Sequence, residues 1–181
     1  AAFALMFFVL PATAQLIPED AEVEKVADGY QFTEGPAAGP DGYIYFTDIP
    51  AELILKYDPA TGETETVVEE SNQANGLMFN SEGSLLACHH GSRVLSHVRI
   101  LDGGRLFYGA CQKKFDGNQL NSPNDLDIDE HGNIYFTDPR YGNRDSMEMD
   151  VEGVYFQALA HEDAEENPEM RFFLGTLTRI I

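Results

Sequence analysis

The sequence predicts an all-β protein assembled from four-stranded propeller blades, and three observations carry that prediction. Strand-like runs dominate: "YIYFTD", "SLLACHH", "RVLSHVRI", "GRLFYGA", "NIYFTD" and "GVYFQAL" are short, rich in aromatic and β-branched residues, and bounded by Gly, Pro, Asp and Asn. These runs recur in a longer repeat, since 34–48, 74–90 and 123–138 each read as a polar lead-in, a strand, a tight turn and a second strand ending in Asp or His. The turn glycines Gly42, Gly83 and Gly132 stand 41 and 49 residues apart. Four strands per unit at that period is the mark of propeller blades, whereas a β-sandwich places turns every ~8–12 residues without a long echo. No stretch holds a helical period over three turns. The nearest, 158–170, is mostly charge and is broken by Asn167-Pro168, which predicts an acidic surface loop.

Taken in order, 1–14 stands apart from the repeats. An apolar run of ten residues leads into Ala12-Thr13-Ala14, a small-residue cleavage pattern, so a secretory signal peptide clipped at its N-terminus is expected and the protein is expected to be secreted or periplasmic. The run is too short to span a bilayer, which takes roughly 20 residues, so no stable membrane insertion is expected. Blades are predicted over about 24–70, 71–118 and 119–181. In the first, "LILKYDP" and "TETVVEE" supply strands three and four. Three blades do not close a ring, so the chain is expected to be a fragment with two open blade faces.

Asp and Glu number 31 against 11 Lys and Arg, a formal charge of -20. Nucleic acid and anionic membrane are excluded as partners, because a phosphate surface needs a basic footprint. Carboxylates are also hard oxygen ligands, which brings calcium and magnesium into consideration. The two cysteines, Cys88 and Cys111, lack zinc spacing and read either as one disulfide or as two buried thiols.

The repeat locates a site. In a propeller the first strand of every blade lines the channel, so equivalent lead-in positions converge on one point. Glu34, Asn75 and Asn124 are equivalent, again 41 and 49 residues apart. One carboxylate and two amide oxygens suit a hard cation. The loops after the second strands lie on the same face and supply Asp48, His90, Asp138, Arg140 and Tyr141 as candidates for contacting a substrate.

"EGPA", "QANGLMFNSEGSLLACHHG" and "LNSPNDLDIDEHGNIYFTDPRYG" resemble the first three blades of the senescence-marker-protein/gluconolactonase/luciferin-regenerating-enzyme-like family, and "VEGVYF" and "GTLTRII" continue the likeness. The resemblance implies a six-bladed β-propeller holding one divalent cation, usually calcium, with Mg2+, Zn2+ or Mn2+ as substitutes. It implies hydrolysis of a small-molecule lactone or ester. Carried over by position, Glu34 and Asn124 match metal-facing residues and Asn75 a pocket-lining one. Ser122 and Pro123 stand where some relatives carry a substrate-reading arginine, and His89 where many carry Glu. The resemblance puts the remaining ligands and the catalytic base beyond Ile181. A non-catalytic propeller binding a metal, sugar or protein, and a phosphotriester-cleaving enzyme with the same metal cup, are the competing readings.

Overall fold

A computed structural model describes residues 17–101, 105–158 and 177–181. The leader expected at 1–14 and the acidic loop expected at 158–170, Ala158 apart, lie outside the described residues. The described residues contain no helix. Three antiparallel four-stranded sheets follow one another. The first holds β1 (Thr33–Ala38), β2 (Ile44–Asp48), β3 (Leu53–Tyr57) and β4 (Thr64–Val68). The second holds β5 (Ala74–Phe79), β6 (Leu85–His89), β7 (Val94–Leu101) and β8 (Arg105–Gln112). A ribbon of β9 (Lys114–Phe115) and β10 (Asn118–Gln119) intervenes, turning on Asp116-Gly117 with both residues at positive φ. Asp-Gly with that geometry is a strong two-residue hairpin signal, and the repeat-based reading passed over it. The third sheet holds β11 (Leu126–Ile128), β12 (Ile134–Asp138), β13 (Gly153–Gln157) and β14 (Leu177–Arg179).

Two apolar cores lie between the sheets. Tyr45, Ile54 and Val68 of the first sheet meet Leu77, Leu85 and Val98 of the second. On its other face the second sheet meets the third through Leu86, Cys88 and Leu95 against Ile134, Phe136 and Tyr155. The middle sheet is therefore covered on both sides, which is why β6 reads as an unbroken apolar run instead of alternating. Cys88 on β6 and Cys111 on β8 flank β7, about two strand spacings or roughly 9–10 Å apart. That exceeds the ~7 Å within which Cα atoms can be bridged. Both are buried free thiols, and burial pushes Cys111 up to about 12, so the disulfide alternative falls.

The innermost strands touch directly, β1 against β5 and β5 against β11. Two glycines permit this. A Cβ on Gly35 would lie 2.2 Å from the Asn75 carbonyl oxygen, and one on Gly76 would lie 2.7 Å from that of Asn124. The Gly76 N–H instead donates to the Asn124 carbonyl at 2.8 Å. The Thr47 hydroxyl lies 3.1 Å from the Glu34 carbonyl and 3.2 Å from that of Asn75. Glu34, Asn75 and Asn124 are thus successive rungs of one backbone contact.

Each lead-in is also pinned by the last residue of its sheet's second strand. Asp48 accepts the Gln31 and Phe32 N–H groups at 2.9 and 3.0 Å, and Asp138 accepts those of Asn121 and Ser122, both at 2.8 Å. This corrects the expectation for Asp48 and Asp138: both are buried with both carboxylate oxygens committed to backbone, and neither stands at a rim open to substrate. The second sheet performs the same task with reversed polarity. His89 occupies the equivalent place, and its Nδ1–H donates to the Ser71 carbonyl at 2.7 Å. Its Nε2 is then the acceptor for the Ser96 hydroxyl at 2.6 Å. A carboxylate missing at His89 is therefore missing from a brace.

Two measurements test this architecture. Gly35 sits at φ 55 with no room for a methyl group, so Gly35→Ala should cost about 2–4 kcal/mol in strain and overpacking, read from the denaturation midpoint. Burial pushes the Asp138 carboxyl up to about 6, against the pull of the Asn121 and Ser122 N–H groups, Arg93 and Arg140. The folded chain then holds a proton between the usual 3.8 and about 6 that the unfolded chain has released, so this contribution favours folding in acid and is lost as pH rises through that window. The stability difference between wild type and Asp138→Asn should accordingly narrow by roughly 2–3 kcal/mol from pH 4 to pH 7.

Candidate functional site

The residue that follows each brace opens the loop after the second strand of its sheet. Those residues are Ile49, His90 and Pro139, so only the middle sheet presents a titratable ring there. His90 Nε2 lies 3.1 Å from Asn75 Nδ2 and 3.3 Å from Asn124 Nδ2. Three residues singled out from sequence, distributed over two sheets, thus meet at one imidazole nitrogen. Asn75 is only 5% exposed, whereas His90 and Asn124 are half-buried. Burial, and secondarily the Arg140 guanidinium, lowers the His90 pKa, so the ring is neutral at physiological pH.

Glu34 is exposed on the innermost strand and lines a cleft of ≈ 530 Å³ with Ala37, Leu77, Phe79 and Asp125. Its link to Asn75 runs through backbone, by way of Gly35 and the Thr47 hydroxyl. Asp125 is exposed on the wall of this cleft. Among the described residues no three His, Cys, Asp or Glu side chains gather as metal ligands. A cation bound here would draw on Glu34 together with amide oxygens, the mixed hard-oxygen set that calcium accepts.

Arg140 is placed differently from expectation. Its Nε donates to the Asn143 carbonyl at 2.9 Å, Nη1 to the Asn121 carbonyl and the Ser122 hydroxyl, both at 3.1 Å, and Nη2 to the Ser146 hydroxyl at 2.8 Å. The guanidinium staples the β12–β13 loop to the third lead-in and is largely spent on that task. Tyr141, by contrast, is 63% exposed, with its ring centroid 5.9 Å from that of His90, and stands as a wall of the site.

Arg93 was missed by sequence reasoning. It sits at φ 59 after the β6–β7 turn, buried, with Nε donating to the Leu120 and Asn121 carbonyls at 2.6 and 2.9 Å and Nη1 to the Ser146 carbonyl at 3.1 Å. It ties the middle sheet to the lead-in of the next. The available signal was a lone basic residue in an acidic chain, "HHGSRV", after a brace position.

Residues 32–170 match the family described as the SMP-30/Gluconolactonase/LRE-like region. The gluconolactonase of Zymomonas mobilis subsp. mobilis is 27% identical over 164 residues, covering 80% of this chain and 45% of its own length. A solved gluconolactonase from Xanthomonas campestris superposes with a TM-score of 0.66 at 25% identity, over 72% of this chain and 45% of that one. A second solved structure, provisionally assigned as a gluconolactonase, gives a TM-score of 0.71 at 30% identity, over 91% and 53%. The chain spans about half the length of these relatives. Its repeated sheets, its converging lead-ins and this match agree: the chain belongs to the SMP-30/gluconolactonase/LRE-like family.

Proposed function

We propose that the protein is a divalent-cation-dependent lactonase, with calcium the favoured ion, whose six-bladed propeller takes its first three blades from this chain. The single observation that carries the reading is the meeting of Asn75 and Asn124 at His90 Nε2, one backbone rung from Glu34. With both amide nitrogens turned to the ring, both Oδ1 atoms are left for the channel, beside an exposed carboxylate. That donor set fits a hard cation.

In this reading Glu34 and Asn124 hold the ion, and Asn75 lines the pocket against the lactone ring. Tyr141 forms the outer wall and offers its hydroxyl to a sugar hydroxyl. The bound ion would polarise the lactone carbonyl toward attack by water, worth several kcal/mol of barrier. Arg140, Arg93 and Asp138 keep the third lead-in and its loop in register and make no contact with substrate. No residue of this chain is assigned as the base. Export to the periplasm or outside the cell is also part of the proposal, supported by the apolar run at 1–10 and the Ala12-Thr13-Ala14 that follows.

Full-length protein should open glucono-δ-lactone in a reaction abolished by chelation and restored by calcium. Glu34→Gln should weaken calcium binding at least tenfold, about 1.4 kcal/mol, by calorimetry. Unchanged affinity would remove Glu34 from the ligand set, and absence of lactone turnover would sink the enzyme reading. Export is tested by fractionating cells: mature protein beginning after Ala14 outside the cytoplasm is expected, and intact cytoplasmic protein overturns it.

A further inference from the structure

An asparagine amide is nearly symmetric in shape and opposite in chemistry at its two ends. Its oxygen accepts and binds cations, whereas its NH2 donates and repels them. Two asparagines flanking a channel therefore make a cation site only if something decides which end faces inward. Neither lead-in backbone does so, because rotation about the last side-chain torsion exchanges the ends without moving the chain.

We propose that His90 is a positioning residue that sets this choice: its Nε2 lone pair accepts N–H from Asn75 and from Asn124, so both Oδ1 atoms face the channel. The inference rests on the cation-binding reading above and assigns His90 a role within it that does not require contact with substrate. The distances, 3.1 and 3.3 Å, bring both amide nitrogens to the same ring atom. A lone pair there attracts N–H and repels a carbonyl oxygen, so turning either amide replaces a hydrogen bond with a repulsive contact.

The ring can discriminate because it is held from several directions. Directly before it, His89 is clamped between the Ser71 carbonyl and the Ser96 hydroxyl. The His90 N–H donates to the Gln73 carbonyl at 3.0 Å, and the Gly91 N–H to that of Asn72 at 3.0 Å. The Tyr141 ring lies beside that of His90, with centroids 5.9 Å apart and the planes tilted by 45°. Its place in the middle sheet lets it reach the lead-in of its own sheet and that of the next. Ile49 and Pro139, which follow the braces of the other two sheets, have no side-chain group that could do this.

The test uses full-length protein and three readouts. Long-range proton–nitrogen correlation on wild type reads the His90 tautomer directly; a proton on Nδ1 is expected, and one on Nε2 overturns the proposal whether or not any variant folds. The side-chain NH2 signals of Asn75 and Asn124 should shift and exchange faster in His90→Leu, and return toward wild type in His90→Gln, whose Oε1 can stand in for Nε2. Signals unmoved in His90→Leu overturn the proposal. Calcium titration by calorimetry should show at least a tenfold loss in His90→Leu and recovery to within threefold in His90→Gln; equal affinity in wild type and His90→Leu overturns it. If wild type binds no calcium, the cation-binding reading fails, while the tautomer and amide signals still decide the role of His90.

Discussion

Everything at the three lead-ins depends on how closely the innermost strands approach. Gly35 lies against the Asn75 carbonyl, and the Gly76 N–H bonds the Asn124 carbonyl, so three lead-ins form one continuous backbone contact. A side chain at either glycine would overlap a main-chain oxygen that cannot rotate away. Close approach sets the spacing of Glu34, Asn75 and Asn124, and with it the scale of any ligand they can share. The apolar cores behind them supply the burial that holds the sheets together. Those cores leave the position of the lead-ins along the channel to hydrogen bonds.

The braces provide that second level of control. Asp48 and Asp138 each gather two backbone N–H groups, and His89 does the equivalent by donating to a carbonyl. Donor and acceptor have exchanged places, yet the geometric result, a lead-in tied to the end of the second strand, is the same. Because the middle sheet uses a histidine brace, the ring that follows it is set beside neutral groups on its own sheet. Arg93 and Arg140 then converge on the Asn121 carbonyl from two different elements, which locks the third lead-in to the middle sheet. Two of the arginines in this acidic chain are thus spent on holding one lead-in in place.

Much of this was legible in the sequence. The spacing of Gly42, Gly83 and Gly132 located the turns, and the equivalence of Glu34, Asn75 and Asn124 followed from it, because a repeat that packs on itself must bring equivalent positions together. Asp48, Asp138 and Arg140 were not legible in the same way. A polar residue at the end of a strand can turn outward to a ligand or inward to backbone, and the choice rests on N–H groups 16 or 17 residues distant that no local pattern reveals. His89 and His90 are neighbours of one type, yet one is buried in a brace and the other is half-buried beside Asn75 and Asn124. Strand alternation separates them, and only the register of β6 says which is which.

The identical string "IYFTD" in β2 and β12 marks where sequence stops and tertiary structure begins. By composition and length it determined a strand both times, whereas the brace made by its final aspartate was decided by backbone N–H groups 16 or 17 residues away. It did not determine which face is covered. In β2 the tyrosine, Tyr45, is 3% exposed, whereas in β12 Tyr135 is 38% exposed and Phe136 is buried instead. The first sheet meets its neighbour through one face and the third through the other, so the first four side chains are sorted oppositely while the aspartate is buried in both. Strand formation is local, decided by side-chain shape and turn chemistry; burial is a relation between sheets, and it exists only once a neighbour has packed against one face.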